Sequence, residues 1–272
     1  MDKLRWKLRV FFSKWRNRTR YLFGAPRVFR NWWAWPLPKF GIGVVLETRR
    51  GTRFLVRPRT TDLGTLNEAL VLRTYLSSEL IELREDSVVV DVGANMGDFA
   101  VEVGSLCPRG RIVAVEPVTE FAAMIEINKL LNALTNIEVV QVALGSSEAE
   151  VEINLAGNAS SLYWKKADQA QKVRQTSLAR LMDELRIGQI DLLKLDCEGA
   201  EWEILPNASE LLPRVRQICM EFHPMNGWTG ERLAAFLRDA GYTVEFISGG
   251  WNGPLWATRN SKDARSSSRD CL

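Results

Sequence analysis

The stretch Val88-Val-Val-Asp91-Val-Gly93-Ala-Asn95-Met-Gly97-Asp-Phe99 decides the fold. A short β-branched run passes through a glycine-containing turn into a helical pattern that extends to Leu106, as a buried parallel strand does when it feeds a helix. Glycines let the backbone approach a bound nucleotide, and the N-terminus of the helix faces it. A nucleoside-bearing cofactor is the natural occupant. Nicotinamide-binding turns read Gly-x-Gly-x-x-Gly, whereas this one reads Gly-x-Asn-x-Gly with an Asp at the strand end, which disfavours NAD.

Working outward, the next strand ends in Ile112-Val-Ala-Val-Glu116-Pro117, which places a carboxylate 23 residues after Gly93. An acidic side chain at that strand tip can accept the ribose hydroxyls of a nucleoside. Farther on, Ile190-Asp-Leu-Leu-Lys-Leu-Asp196-Cys-Glu198-Gly199-Ala-Glu201 reads as a buried strand delivering carboxylates and a lysine at its C-terminal end, and Cys219-Met-Glu221-Phe-His223-Pro224 brings the chain's one histidine to the same edge. Ligands of open α/β sheets bind at the carboxyl ends of strands, so Asp196, Glu198 and His223 are candidate catalytic residues, while Glu201 reads as a cap of the following helix. Either Asp196 or His223 is expected to act as general base, with Glu198 orienting acceptor or base. Carboxylates such as Asp196 and Glu198 suggest a divalent ion, but no complete ligand set is visible, and no metal is assigned. Ser160-Ser161-Leu-Tyr-Trp164, followed by Lys165-Lys166, reads either as an acceptor-binding loop, with Ser160 and Ser161 touching substrate, or as a plain surface loop.

Apolar β-rich runs alternate with helical patterns along most of the chain, which implies a doubly wound α/β sheet. Strands are expected at 88–92, 112–115, 137–142, 151–153, 191–195, 215–222, 243–247 and 255–258, the last two closing one edge as an antiparallel hairpin. Ahead of them stand a hairpin, 44–48 with 53–57 turning at Arg50-Gly51, and a helix over 63–76.

As a set, these residues resemble the FkbM family of S-adenosylmethionine-dependent methyltransferases. The resemblance rests on Asp91-Val-Gly-Ala-Asn-Met-Gly97, on Glu116-Pro117 with Asn128 and Asn132 in the next helix, on Ser160-Ser161-Leu162, on Leu193-Lys-Leu-Asp-Cys-Glu-Gly-Ala-Glu201 and on Glu221-Phe-His-Pro224. Arg57-Pro-Arg-Thr-Thr-Asp62, with Glu68 and Tyr75, is similar to the family's preamble. Cys197 stands where an aliphatic residue is usual, and Val118 where proline is common. The resemblance implies a class I methyltransferase sheet of Rossmann-like build. It also implies S-adenosyl-L-methionine held by Asp91, Gly93, Asn95 and Gly97 with Glu116 on its ribose, and O-methylation of a hydroxyl on a sugar, glycan or polyketide-like acceptor. A non-catalytic glycan- or membrane-binding protein on the same fold is the alternative.

Composition limits the rest. A chain of 272 residues with 46% hydrophobic and 25% charged residues excludes a wholly disordered or fibrous protein. Four scattered cysteines suggest neither a zinc ribbon nor a disulfide framework and fit a reducing, cytoplasmic compartment; one histidine rules out multi-histidine metal sites. The net charge of +3 hides an asymmetry, because residues 1–59 carry 16 Lys and Arg against 2 Asp and Glu, and the remainder 20 against 31. Residues 1–40 form a basic, tryptophan-rich segment, 41–260 the catalytic domain, and 261–272 a disordered tail. Three readings suit the basic segment: contact with the inner face of a membrane, nucleic-acid binding, which the acidic body disfavours, and packing on the protein itself or a second subunit.

Overall fold

The computed structural model describes residues 20–21, 23–156, 159–161, 169–225, 227–247 and 253–259, with side chains at all of these except 156, 159–161 and 169. The chain divides into two compact units, Met1–Thr74 and Tyr75–Leu272.

In the first unit, β1 (Val44–Glu47) and β2 (Arg53–Val56) pair antiparallel from Val44 opposite Val56 to Glu47 opposite Arg53, the hairpin expected from the turn at Gly51. Alternation puts Leu46, Phe54 and Val56 into a small core with Phe29. The helix expected over 63–76 is shorter: α1 (Asp62–Leu66) runs into a π turn over Asn67–Val71, and Arg73 at φ +54 ends the helical course. Asp62 is buried. It accepts the Arg57 backbone N–H at 3.0 Å and pairs with the Arg57 guanidinium at 2.7 Å, which fixes the turn between hairpin and helix.

The second unit is built on β3 (Val88–Val92), α2 (Asp98–Leu106), β4 (Arg111–Val115), α3 (Thr119–Leu131), β5 (Ile137–Val140), β6 (Ala143–Gly145), β7 (Ala149–Ala156), β8 (Ala159–Ser161), β9 (Gln169–Ser177), α4 (Leu178–Glu184), β10 (Ile190–Leu195), α5 (Glu201–Asn207), β11 (Val215–Phe222), α6 (Gly230–Asp239), β12 (Tyr242–Phe246) and β13 (Gly253–Arg259). Seven strands form a sheet in the order β12-β13-β11-β10-β3-β4-β5, parallel except for β13, which runs antiparallel to both neighbours. This is the doubly wound, Rossmann-like sheet with an antiparallel edge that the alternation predicts. Val89, Val90, Ile112, Val113, Leu192, Leu193 and Ile218 are fully buried in its central strands, as sheets covered on both faces require.

A second sheet, of order β6-β9-β7-β8, was not expected. The strand expected over 151–153 is the middle of the eight-residue β7, which pairs with β9 from Ala149 opposite Gln175 to Leu155 opposite Gln169. Ser160 and Ser161, expected in a loop, lie on β8 opposite Leu155 and Asn154; their side chains, and residues 162–168, fall outside the described residues.

Candidate active site

The chain winds outward from β3 through β4 to β5 and then returns to lay β10 on the other side of β3. The crevice beyond the carboxyl ends of β3 and β10 is therefore the topological switch point, where doubly wound sheets take their ligands. Lys194 and Asp91 are register partners across these two strands, and their buried side chains form an ion pair of 2.9 Å. Burial pushes the Asp91 carboxyl above its ordinary pKa although the lysine pulls it back. For Lys194, burial opposes the charge, but Asp91, Asp196 and Asp98 outweigh it and raise the ammonium's pKa. Lys194 Nζ also donates to the Gly93 carbonyl at 2.8 Å, so one cation fastens the strand to the start of the glycine turn.

That turn uses left-handed backbone three times, at Gly93 (φ +74), Asn95 (φ +49) and Gly97 (φ +83). Gly93 has no alternative: a Cβ there would lie 1.9 Å from the Asp196 carbonyl oxygen. Asn tolerates the left-handed region better than most residues, and Gly97 caps α2. Backbone bonds close the turn over the neighbouring strands, Gly93 and Ala94 N–H to the Val115 carbonyl at 3.0 and 3.2 Å and Asp196 N–H to Val92 at 3.0 Å. Glu116, just past β4, accepts the Asn95 N–H at 2.8 Å through one oxygen and the Val118 N–H at 2.9 Å through the other. Burial lifts its carboxyl to about 7 against those two bonds, and burial likewise lifts Asp98, at the start of α2, to about 7.

A second group gathers at the ends of β10 and β11. Tyr75 donates its hydroxyl to Asp196 Oδ2 at 2.5 Å and rests edge-on against Phe99. Burial, with Asp196 and Glu221 nearby, holds its phenol protonated. Glu201 is buried at the first turn of α5 and organises the loop before it, accepting the Cys197 and Gly199 N–H groups at 3.0 Å each. Its role is thus wider than the helix cap expected of it, because the same carboxylate lies 3.3 Å from His223 Nδ1. His223 Nε2 lies 3.5 Å from Glu198, which itself sits at φ +53 on the turn. Burial alone would lower the imidazole's pKa; the hydrogen bond and charge of Glu201, with Asp196 and Glu198, outweigh it and lift it to about 10. Asp196, Glu221 and His223 each place one ligand atom within 4.8 Å of the others.

The structure therefore brings Asp91, Gly93, Asn95, Gly97 and Glu116 to one side of the crevice and Asp196, Glu198 and His223 to the other, with the Gly93–Asp196 approach between them. Three further residues were quoted from the sequence without a role, Tyr75, Lys194 and Glu221, and Glu201 was expected only as a helix cap. Only Lys194 carried a local signal, as a charge inside an apolar strand.

Residues 91–244 match the family profile described as a methyltransferase FkbM domain. Methyltransferase sdnD of Sordaria araneosa is 29% identical over 202 residues, covering 61% of this chain and 77% of that protein. The 31-O-demethyl-FK506 methyltransferase FkbM of Streptomyces tacrolimicus is 27% identical over 198 residues, 60% of this chain and 75% of that protein. AMB antimetabolite synthetase AmbE of Pseudomonas aeruginosa is 29% identical over 213 residues, which are 62% of this chain but 10% of that much longer protein.

Proposed function

The chain belongs to the FkbM methyltransferase family, and from that premise we propose that it methylates a hydroxyl oxygen of a small-molecule or glycan acceptor, with S-adenosyl-L-methionine as donor. One observation carries the reading: a glycine turn with a strand-end carboxylate faces one side of the switch point, and a cluster of acid and base groups faces the other.

The first group fits a nucleoside cofactor. Each Glu116 oxygen is oriented by one backbone N–H and has a further lone pair for a ribose hydroxyl, while the turn presents main chain without a Cβ at 93 and 97. When bound, S-adenosylmethionine supplies an electrophilic methyl group. The residues of this chain hold the acceptor oxygen in place and receive its proton. Asp196 and Glu198 are the carboxylates on hand for that proton. Tyr75 fixes the first, and His223, held by Glu201, stands 3.5 Å from the second. The acceptor named for one relative, 31-O-demethyl-FK506, supports a small hydroxyl-bearing molecule here.

Calorimetry with S-adenosylhomocysteine tests the cofactor assignment. Saturable binding is expected, weakened at least about tenfold in Glu116→Ala, as loss of charged hydrogen bonds to ribose requires. Binding of a nicotinamide cofactor instead, or of neither, would overturn it.

Contact of the first unit with an anionic membrane surface is part of the same proposal. No helix among the described residues is long and apolar enough to cross a bilayer. Phe23, Trp32, Trp33 and Phe40 nevertheless stand exposed in a segment that also carries Arg20, Arg27, Arg30 and Lys39, the pairing that interfacial contact uses. Residues 1–19, the start of the basic segment, lie outside the described residues. Co-sedimentation with phosphatidylserine vesicles is expected and should fall in Trp32→Ala/Trp33→Ala; no binding, or equal binding by the variant, would refute surface contact through these residues.

A further inference from the structure

We propose that Asp196, Glu221 and His223 form a divalent-cation site that holds the acceptor's hydroxyl oxygen, an inference that rests on the methyltransferase reading above. The sequence suggested Asp196 with Glu198 as ligands. The fold assembles a different and fuller set, because β10 and β11 are parallel neighbours with Leu195 opposite Met220. Their carboxyl ends therefore bring Asp196, just after β10, against Glu221 and His223 at the end of β11.

A cation with bonds of about 2.1 Å holds its ligand atoms no more than roughly 4.2 Å apart, so small side-chain adjustments close a set already within 4.8 Å. Two of the three ligands are oriented from outside the set, as ligands of metal sites usually are: Tyr75 O–H holds Asp196 Oδ2, and Glu201 engages His223 Nδ1. All three residues are only partly buried, which leaves coordination positions open to an acceptor.

The local charge points the same way. Asp196, Glu198, Glu201 and Glu221 stand around one imidazole. Two carboxylates and one imidazole, which sheds its proton as the ion binds, suit Mn2+ or Zn2+ better than a thiolate-seeking ion. The cation polarises the acceptor hydroxyl; its proton passes to Glu198, which lies outside the ligand set, and the O–H electron pair stays on the oxygen.

His223 is the chain's only histidine, so its imidazole resonances can be assigned without ambiguity in the untagged protein. On titration with MnCl2 they are expected to broaden beyond detection near a single equivalent, and to resist MgCl2. Asp196→Asn and Glu221→Gln should each need at least about tenfold more Mn2+ for the same effect. Counting of free Mn2+ by electron paramagnetic resonance should find one bound ion per chain, lost in His223→Gln. Resonances that stay sharp at millimolar Mn2+, or that broaden equally in both carboxylate variants, would overturn the site. S-adenosylhomocysteine calorimetry on the same samples separates the two readings. Cofactor binding without Mn2+ binding defeats only the cation site, and Mn2+ binding without cofactor binding defeats only the methyltransferase assignment.

Discussion

Asp196→Asn is expected to lower kcat about 100- to 10,000-fold while leaving the affinity for S-adenosylhomocysteine near that of the unaltered chain. The substitution is isosteric and keeps an oxygen for the Tyr75 hydroxyl, now 2.5 Å from Oδ2, so the loop after β10 has no reason to move. The negative charge is lost, and with it both the capacity to accept a proton and the anionic ligand. The cofactor contacts we propose lie across the crevice on the glycine turn and Glu116, which is why binding and turnover should separate. A kcat close to that of the unaltered protein would remove Asp196 from the reaction, and a parallel fall in cofactor affinity would make it a residue of the turn instead.

The largest effect on stability is expected at Lys194. Lys194→Met leaves Asp91 buried without its 2.9 Å counter-charge, a change that costs about 3–5 kcal/mol in unfolding by denaturant. Burial already raises the Asp91 carboxyl with the lysine in place, and without it the folded-state pKa rises further. A carboxyl whose pKa is higher folded than unfolded binds more protons in the folded state, so stability falls as pH rises past its unfolded value of about 3.9. The deficit of the variant should therefore be smallest in acid and grow toward neutrality. Adding Asp91→Leu removes the stranded charge and should recover most of the loss. A single variant as stable as the unaltered protein, or a double variant no better than the single, would show that the pair does not hold the two strands.

Much of the central sheet could be read directly because its signals are local. Val88–Val92 and the glycine turn announce a parallel strand and its helix within a dozen residues, and the 44–56 hairpin is announced by its turn. The sheet of β6 to β9 had no such signal. β9 reads Gln-Ala-Gln-Lys-Val-Arg-Gln-Thr-Ser, nearly all polar, and becomes a strand because β7 supplies a full set of backbone partners. The expected helix over 63–76 failed where the backbone turned left-handed at Arg73, which no residue type there foretold. At the site, the half proposed for a nucleoside could be picked out because Gly93, Asn95, Gly97 and Glu116 sit at the ends of consecutive strands. Tyr75 lies 121 residues from Asp196, and the value of Glu221 depends on which strand adjoins β10; both are products of sheet order rather than of neighbouring sequence.

The close passage of Gly93 against the Asp196 carbonyl bears on how descent should be read in this protein. Gly93 is demanded by steric fit and Asp91 by its lysine, whether or not any methyl group is ever moved. A descendant that had fallen silent as a catalyst would still need glycine at 93 in order to fold, and Asp91 for as long as Lys194 stays buried beside it. Glu198 is the more telling witness. It holds left-handed backbone at φ +53, a conformation that costs a residue with a Cβ on the order of 1 kcal/mol and that glycine would adopt more easily. That strained backbone aims the glutamate toward His223, 3.5 Å away, so the turn spends conformational energy on the acid and base cluster and not on the glycine turn.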